Sequence, residues 1–286
     1  METKINGKAI YSPKGKAGEY AKYAVNFYVG CSNDCDYCYC KRGVLGHAMG
    51  APKPTLKKCF TNEHDALMVF INEVEKYHHL LKRNSLFFSF STDPLLPETQ
   101  ELTNKAVTYA VKRGIKCQIL TKRADFAVPD EFFKMKNMIA YGFTLTGMDA
   151  QELHANSNAE RITTMRWLHE QGFKTFASIE PIISLDQSAL MLGLTYGYCD
   201  LYKIGLLSGK KDYTPRHVLI FMTCLIASAH FMNTILPLSN FGEKHRLSKV
   251  KMYLKDSMYE YTKMDREKFE EKNKDIFVDK NYNIFQ

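Results

Sequence analysis

Four of the eight cysteines in this 286-residue chain lie within ten residues of one another, at Cys31, Cys35, Cys38 and Cys40. Thiolates at so tight a spacing can form disulfides, bind structural zinc or hold an iron–sulfur cluster. The N-terminal residues lack the apolar core of a signal peptide, so we expect a cytoplasmic protein whose cysteines stay reduced. Structural zinc usually takes four ligands in paired CxxC motifs, and the sequence contains no second CxxC.

The spacing separates the first three cysteines from the fourth. The CxxxCxxC motif (residues 31–38) directly follows Gly30 and the first predicted strand. Three thiolates without an obvious fourth would leave one iron of a cubane cluster open for another ligand. Cys40 is a fourth ligand in a zinc interpretation, and otherwise a catalytic thiol or a small packing residue; Tyr39 could relay a hydrogen atom or simply pack. The predicted metal ligands are Cys31, Cys35 and Cys38, and the candidate catalytic residues are Tyr39 and Cys40.

The predicted strands and helices that must position this loop alternate regularly along the chain. Apolar and β-branched runs predict strands at 23–29, 86–92, 116–122, 139–146, 174–180 and 200–206. Helical patterns lie between them at 62–82, 98–113, 129–137, 157–171 and 185–194. Alternating strands and helices predict an α/β fold with a parallel sheet, either open or closed into a barrel. In both cases the site is expected at the carboxyl ends of the strands.

Polar residues follow several of these strands. They are Asp93, Lys122, Thr144, Thr146 and Glu180. Lys122 offers a cation for a carboxylate, and Asp93 precedes a proline, so it could equally form a turn. A carboxylate at the buried end of a strand is costly without a partner, which singles out Glu180.

Beyond residue 212 the alternation stops, so we predict two parts: a core (1–212), with its cluster loop at 30–40, and a helical C-terminal extension (213–286) packed on it. The longest apolar run, residues 217–232, is shorter than the roughly 20 residues of a membrane span. We therefore expect a buried helix there and no membrane association. Residues 1–58 hold ten Lys/Arg against four Asp/Glu, a basic character suited to a polyanion or equally to a solvated surface.

The motif, with Tyr37 before its last cysteine, resembles the signature of radical S-adenosylmethionine (SAM) enzymes. The resemblance implies a partial six-stranded (β/α) TIM-type barrel with the cluster loop after its first strand. It also implies a [4Fe–4S] cluster bound by three cysteines, and SAM bound to the fourth iron. Reductive cleavage of SAM would then yield a 5′-deoxyadenosyl radical that abstracts hydrogen. The expected electron donor is a reductant protein such as flavodoxin or ferredoxin.

Residues 8–206 further resemble the spore photoproduct lyase-like branch of that family. The likeness rests on the GKAxEY lead-in (15–20), "FSTDP" (90–94), "ILTK" (119–122), "GFTLT" (142–146) and "SIEPII" (178–183). In that branch the lysine of "ILTK" is expected to pair with the SAM carboxylate. The cofactor-binding residues that the resemblance implies are Tyr37, Thr92, Asp93, Lys122, Thr144 and Glu180.

One departure separates this chain from spore photoproduct lyase itself. Phe90 stands where the lyase has its hydrogen-donating cysteine, so repair of the spore photoproduct is not expected. Three functions stay open at this point. They are radical SAM chemistry on a nucleic acid or nucleotide, the same chemistry on a peptide or small metabolite, and a zinc-stabilised nucleic-acid-binding module with Cys40 as fourth ligand.

Overall fold

The computed structural model describes residues 3–235 and 249–286. Its contacts group the chain into two units, which we describe separately. The first unit comprises Met1–Tyr141, Ala150–Asn156 and Phe285–Gln286, and the second comprises Gly142–Asp149 and Ser157–Ile284.

Ten strands lie in the described residues. They are β1 (Ile10–Tyr11), β2 (Ala24–Val25), β3 (Tyr28–Val29), β4 (Thr55–Leu56), β5 (Leu86–Phe88), β6 (Cys117–Thr121), β7 (Ile139–Thr144), β8 (Lys174–Ile182), β9 (Leu201–Leu206) and β10 (Met252–Leu254). Strand β7 begins in the first unit and ends in the second.

Nine α-helices lie in the same residues. They are α1 (Gly43–Met49), α2 (Glu63–Asn84), α3 (Gln100–Lys112), α4 (Asp130–Lys134), α5 (Asn158–Glu170), α6 (Leu185–Thr195), α7 (Pro215–Ile235), α8 (Asp256–Thr262) and α9 (Arg266–Glu271). Local side chains fix several of their starts. The Asn62 side chain accepts a hydrogen bond from the Asp65 amide at the start of α2, and Ser157 and Glu160 form a capping box at the start of α5.

In the first unit the strand order is β1-β2-β5-β6-β7, with β3 and β4 forming a separate antiparallel pair. Strands β2, β5 and β6 run parallel, and β1 is antiparallel to β2. Successive residues of β5 point to opposite faces. Phe88 packs towards Phe70 of α2, whereas Phe87 stacks on Phe90 with ring centroids 4.6 Å apart. Helix α2 therefore covers one face of this sheet.

In the second unit the order is β7-β8-β9-β10, and β8, β9 and β10 run parallel. Tyr202 of β9 faces α6, where it meets Tyr196 edge-on at 5.8 Å. Lys203, its neighbour, points to the opposite face and lies over the Tyr253 ring of β10 at 5.8 Å. The two faces of this sheet thus differ, one packed against helices and the other carrying buried polar groups.

The predicted α/β class and mostly parallel sheet are confirmed, and five of the six predicted strands match single strands to within a few residues. The exception is 23–29, which divides into β2 and β3. Asn26 lies between them and uses its side chain twice, accepting from the Phe90 amide (2.9 Å) and donating to the Tyr11 hydroxyl (2.8 Å). These side-chain bonds fix a break in the strand.

The predicted helical C-terminal region is confirmed, and it also contains one strand that the sequence pattern did not predict. Strand β10 pairs with β9 in parallel, because the apolar residues Met252–Leu254 form a short run that joins the sheet. The division at residue 212 stays a prediction.

Helix α7 buries only one face, where Val218, Met222 and Ala229 are fully enclosed, whereas Phe231 is 61% exposed. By length and composition its residues Pro215–Thr234 could cross a membrane, a test that a core helix also passes. The predicted buried helix is thus buried along one face only, and the absence of membrane association stays a prediction.

Candidate functional site

The cluster loop (residues 30–40) begins at a position that requires glycine. Gly30 has φ +84°, and a Cβ there would lie 2.4 Å from the Lys53 carbonyl oxygen. The amide of Cys31 donates to the Ala51 carbonyl at 3.0 Å. The first cysteine is therefore anchored by backbone contacts to residues 51–53.

Within the loop, consecutive turns set the spacing of the thiols. The amide of Cys38 donates to the Cys35 carbonyl at 3.2 Å, and Lys41 closes the next turn on the Cys38 carbonyl at 3.2 Å. The Lys41 ammonium also bonds to the Asp34 carboxylate at 2.6 Å, which ties the end of the loop to its beginning. Cys35 is buried, whereas Cys31 and Cys38 are partly exposed.

The electrostatics distinguish Cys38 from Cys31 and Cys40. A hydrogen bond from the Cys40 thiol lowers the pKa of Cys38, and nearby Lys122 and Lys41 act in the same direction. The same bond raises the pKa of Cys40, which therefore keeps its proton. Burial raises the pKa of Cys31 to about 12, so this thiol would be deprotonated only by binding a metal. Cys38 is thus the ligand-like thiolate and Cys40 its donor.

Both candidate catalytic residues meet at one backbone atom. The Cys40 sulfur lies 3.8 Å from the Phe90 carbonyl oxygen, and the Tyr39 hydroxyl donates to that same oxygen. Cys40 is buried, whereas Tyr39 is about half exposed (51%). The thiol lies below the loop and the phenol reaches its surface.

Asp93 joins the cluster loop to the end of β6. Its buried carboxylate accepts hydrogen bonds from the Asn33 amide group (2.8 Å), the Thr121 hydroxyl (2.6 Å), the Lys122 amide (2.7 Å) and the Leu95 amide (3.0 Å). With four donors around it, this carboxylate holds the loop against the strand that carries Lys122. Asn33, which the sequence analysis did not single out, lies inside the motif and could have been found there.

Lys122 and Tyr37 lie side by side. The Lys122 ammonium is 5.5 Å from the centroid of the Tyr37 ring, a cation–π contact. The Tyr37 hydroxyl donates to Glu152, and the Asp36 amide donates to the Gln151 carbonyl at 3.1 Å. Residues 150–156 therefore cover this side of the loop, a role with no local sequence signal.

Thr92 carries an unsatisfied hydroxyl. It is 92% buried, with 8% of its surface exposed, and no residue in the described ranges gives its Oγ1 a hydrogen-bond partner. A buried hydroxyl without a partner is unfavourable. A bound polar ligand would satisfy it, which fits the prediction that Thr92 contacts a cofactor.

Two predicted residues belong to the second unit. The backbone carbonyl of Thr144 accepts a hydrogen bond from the fully buried Arg161 at 2.6 Å. The Glu180 carboxylate forms an ion pair with Lys255 at 2.7 Å. Lys255 comes from the C-terminal segment, and the sequence pattern gave no signal for it.

The donor set of the loop suits an iron–sulfur cluster. Cysteine thiolates are the ligands of such clusters, and Cys31, Cys35 and Cys38 lie on consecutive turns of one loop. Among residues 3–235 and 249–286, no three His, Cys, Asp or Glu side chains converge as ligands of one metal ion.

Comparison with known proteins agrees with this geometry. The sequence profile of the Radical SAM superfamily matches residues 25–203. An uncharacterized protein, MJ0683, from Methanocaldococcus jannaschii is 26% identical over 229 residues, covering 76% of this chain and 81% of that protein.

Among solved structures, SuiB of Streptococcus suis bound to S-adenosylmethionine gives a TM-score of 0.53 at 12% identity, over 87% of this chain and 54% of SuiB. This chain therefore spans about half the length of SuiB. A structure of SuiB bound to its precursor peptide SuiA gives a TM-score of 0.45 at 12% identity, over 66% of this chain and 43% of SuiB. At these identities the likeness concerns the fold alone.

Proposed function

This chain belongs to the radical SAM superfamily, and on that premise we propose that it abstracts a hydrogen atom from a nucleic acid or nucleotide. The cofactors of the superfamily are a [4Fe–4S] cluster and SAM. When bound, they supply a one-electron cleavage that gives methionine and a 5′-deoxyadenosyl radical. The observation that carries the proposal is the loop in which consecutive turns hold the three thiols of the CxxxCxxC motif, inside the residues that the superfamily profile matches.

The residues of the first unit have distinct roles in this proposal. Cys31, Cys35 and Cys38 hold the cluster, and one iron is left for SAM. Lys122 offers its ammonium to a carboxylate, and its contact with the Tyr37 ring fixes the direction of its side chain. The Thr92 hydroxyl donates to the same ligand, which gives this buried group its partner.

The remaining predicted cofactor-binding residues are Asp93, Thr144 and Glu180. Asp93 orders the cluster loop through its four hydrogen bonds, in addition to the cofactor contact that the resemblance implies. From the second unit, Thr144 and Glu180 are proposed to bind SAM as well.

We assign the chain to the spore photoproduct lyase-like branch on its ordered motifs. Because Phe90 replaces the branch's hydrogen-donating cysteine, the product radical needs another donor. The Cys40 thiol and the Tyr39 hydroxyl, which both reach the Phe90 carbonyl, are proposed for that role; the thiyl or phenoxyl radical left behind would take one electron from the proposed electron source and one proton from solvent. The basic segment 1–58 supports a polyanionic substrate, and a flavodoxin or ferredoxin is the proposed electron source.

The class of reaction is tested by anaerobic reconstitution with iron and sulfide, followed by dithionite and SAM. We expect a brown protein that releases 5′-deoxyadenosine and methionine. The Cys40→Ala variant should retain its iron and its absorbance, because Cys40 is not a ligand. A colourless protein that holds zinc and needs Cys40 would contradict the proposal.

The substrate is tested by label transfer. The reconstituted protein is incubated with deuterated oligonucleotides, nucleotides or peptides, and deuterium in 5′-deoxyadenosine identifies the molecule that loses hydrogen. We expect transfer from an oligonucleotide or nucleotide. Transfer from the peptides alone would exclude the polyanionic substrate and leave the radical chemistry intact.

A further inference from the structure

The C-terminal segment brings a fully buried lysine to the end of the second unit's sheet. Lys255 follows directly after β10, and none of its side-chain surface is exposed. Its ammonium lies 2.7 Å from Oε2 of Glu180, which is 14% exposed. The charged partner of Glu180 thus comes from a part of the chain outside the superfamily profile, which ends at residue 203.

The register of three parallel strands brings these groups together. Ile179 pairs with Ile204, and Ile204 pairs with Leu254. The residues that follow these positions are Glu180 and Gly205, near the carboxyl ends of β8 and β9, and Lys255, directly after β10. The β8–β9 register shifts after Ile179, and Gly205 nevertheless lies against both charged side chains. In α/β proteins these ends are where ligands bind.

Gly205, between the two charged residues, leaves the space that the pair occupies. A Cβ at this position would lie 2.8 Å from Oε1 of Glu180 and 2.9 Å from Cδ of Lys255. Both distances are shorter than any real Cβ contact, so only glycine allows the two side chains to meet in this place. The pair therefore depends on three residues from three strands.

The backbone around Lys255 is held equally firmly. Its amide donates to the Ile204 carbonyl at 2.9 Å, and its own carbonyl accepts from the Met258 amide in the first turn of α8 at 2.9 Å. Ser257 accepts from the Leu206 amide at 3.1 Å. The lysine is thus fixed at its base by both the sheet and the helix.

A buried ion pair is weak evidence for a contribution to stability, because removing two charges from water costs about as much as their attraction returns. Its place at the carboxyl ends of the strands indicates another role. We propose that Lys255 is a positioning residue: it balances the charge of Glu180 and holds that carboxylate in the orientation that receives the ribose hydroxyls or the ammonium group of SAM. This inference rests on the proposed function, in which Glu180 binds SAM.

The test measures SAM affinity rather than turnover. Wild type and the Glu180→Gln/Lys255→Met double variant are reconstituted, and binding of SAM is measured anaerobically by calorimetry, with iron content and melting temperature recorded for each. The double variant removes both charges at once, so no unpaired charge is buried. We expect normal iron content and a dissociation constant raised at least tenfold. Unchanged affinity would overturn the inference.

Two single variants separate positioning from a structural role. Lys255→Arg keeps the charge but moves it, and we expect a three- to tenfold loss of SAM affinity, with the iron content of wild type. Lys274→Met, which removes an exposed lysine paired with Glu271 in the same segment, is the matched control and should bind SAM as wild type does. If Lys255→Arg lowers only the melting temperature, Lys255 is structural and the inference fails.

Failure of the inference about Lys255 can be told apart from failure of the proposed function. If wild-type protein takes up no iron–sulfur cluster or binds no SAM, the proposed function falls, and the inference with it. If wild type and Lys255→Arg bind SAM equally, the role of Lys255 is refuted and the radical SAM chemistry stands. Equal binding by the double variant would also refute the role of Glu180 in binding SAM.

Discussion

The cluster loop of the first unit and the Glu180–Lys255 pair of the second unit assemble functional groups in opposite ways. The loop supplies its three thiols from residues 31–38, so local turns alone set their spacing. The pair joins residues 75 positions apart, and three parallel strands must be in register before the charges meet. A local site can be found from a motif, whereas a non-local site becomes visible only with the fold.

The first prediction removes one ligand from the cluster loop and has the largest expected effect. Replacing Cys35, the buried thiol of the motif, by Ala should abolish cluster absorbance and SAM cleavage, because two thiolates do not hold a cubane cluster. This loss is measured by the visible charge-transfer absorbance of the cluster and by the release of 5′-deoxyadenosine. The matched control is Cys224→Ala, an exposed cysteine far along the chain, which should behave as wild type. A Cys35→Ala protein with full absorbance would remove Cys35 from the ligand set.

The same contrast explains how much the sequence predicted. The α/β class followed from the alternation of strands and helices, and the ligand cysteines followed from their spacing. Strand β10 was not predicted, because three apolar residues in a charged segment give no periodic pattern. Lys255 could not be predicted either, because its role depends on its position beside Gly205 in the fold and not on its neighbours in the sequence.

The second prediction disrupts the Glu180–Lys255 pair by replacing Gly205, which lies between the two side chains. Gly205→Ala should lower the free energy of unfolding by about 1–3 kcal/mol, because the added methyl group displaces the buried pair. It should also weaken SAM binding. The control is Gly193→Ala in α6, where a Cβ meets nothing within 4 Å. There the substitution should raise stability by about 0.5–1 kcal/mol, since alanine favours a helix. Equal denaturation midpoints for the two variants would contradict this prediction.

The third prediction concerns the residue that holds the cluster loop to β6. Asp93→Asn keeps the size of the side chain but replaces one acceptor oxygen by a donor, facing the donors of Asn33 and Lys122. We expect a loss of about 1–3 kcal/mol in urea denaturation and reduced iron uptake. Glu101→Gln, which removes an exposed partner of Lys105, should change stability by less than about 0.5 kcal/mol. If Asp93→Asn is as stable as wild type, residues other than Asp93 hold the cluster loop in place.

The smallest expected effect concerns one tyrosine from each unit, the half-buried Tyr11 and the buried Tyr196. Burial raises the pKa of Tyr11 in the first unit and of Tyr196 in the second to about 12, from 10.0. Between pH 10 and 12 the unfolded chain loses these protons while the folded chain keeps them. The free energy of unfolding therefore falls by up to about 1.4 kcal/mol per pH unit for each group.

Phenylalanine at either position should remove its share of this alkaline slope, as measured by urea denaturation at pH 8, 10 and 11. The two variants should differ at pH 8. Tyr196→Phe retains its ring packing on Tyr202 and should match wild type, whereas Tyr11→Phe leaves the Asn26 amide without the hydroxyl that accepts its hydrogen bond. Tyr11→Phe should therefore cost about 1 kcal/mol even where no tyrosine titrates. An unchanged alkaline slope in both variants would place the titration in other groups.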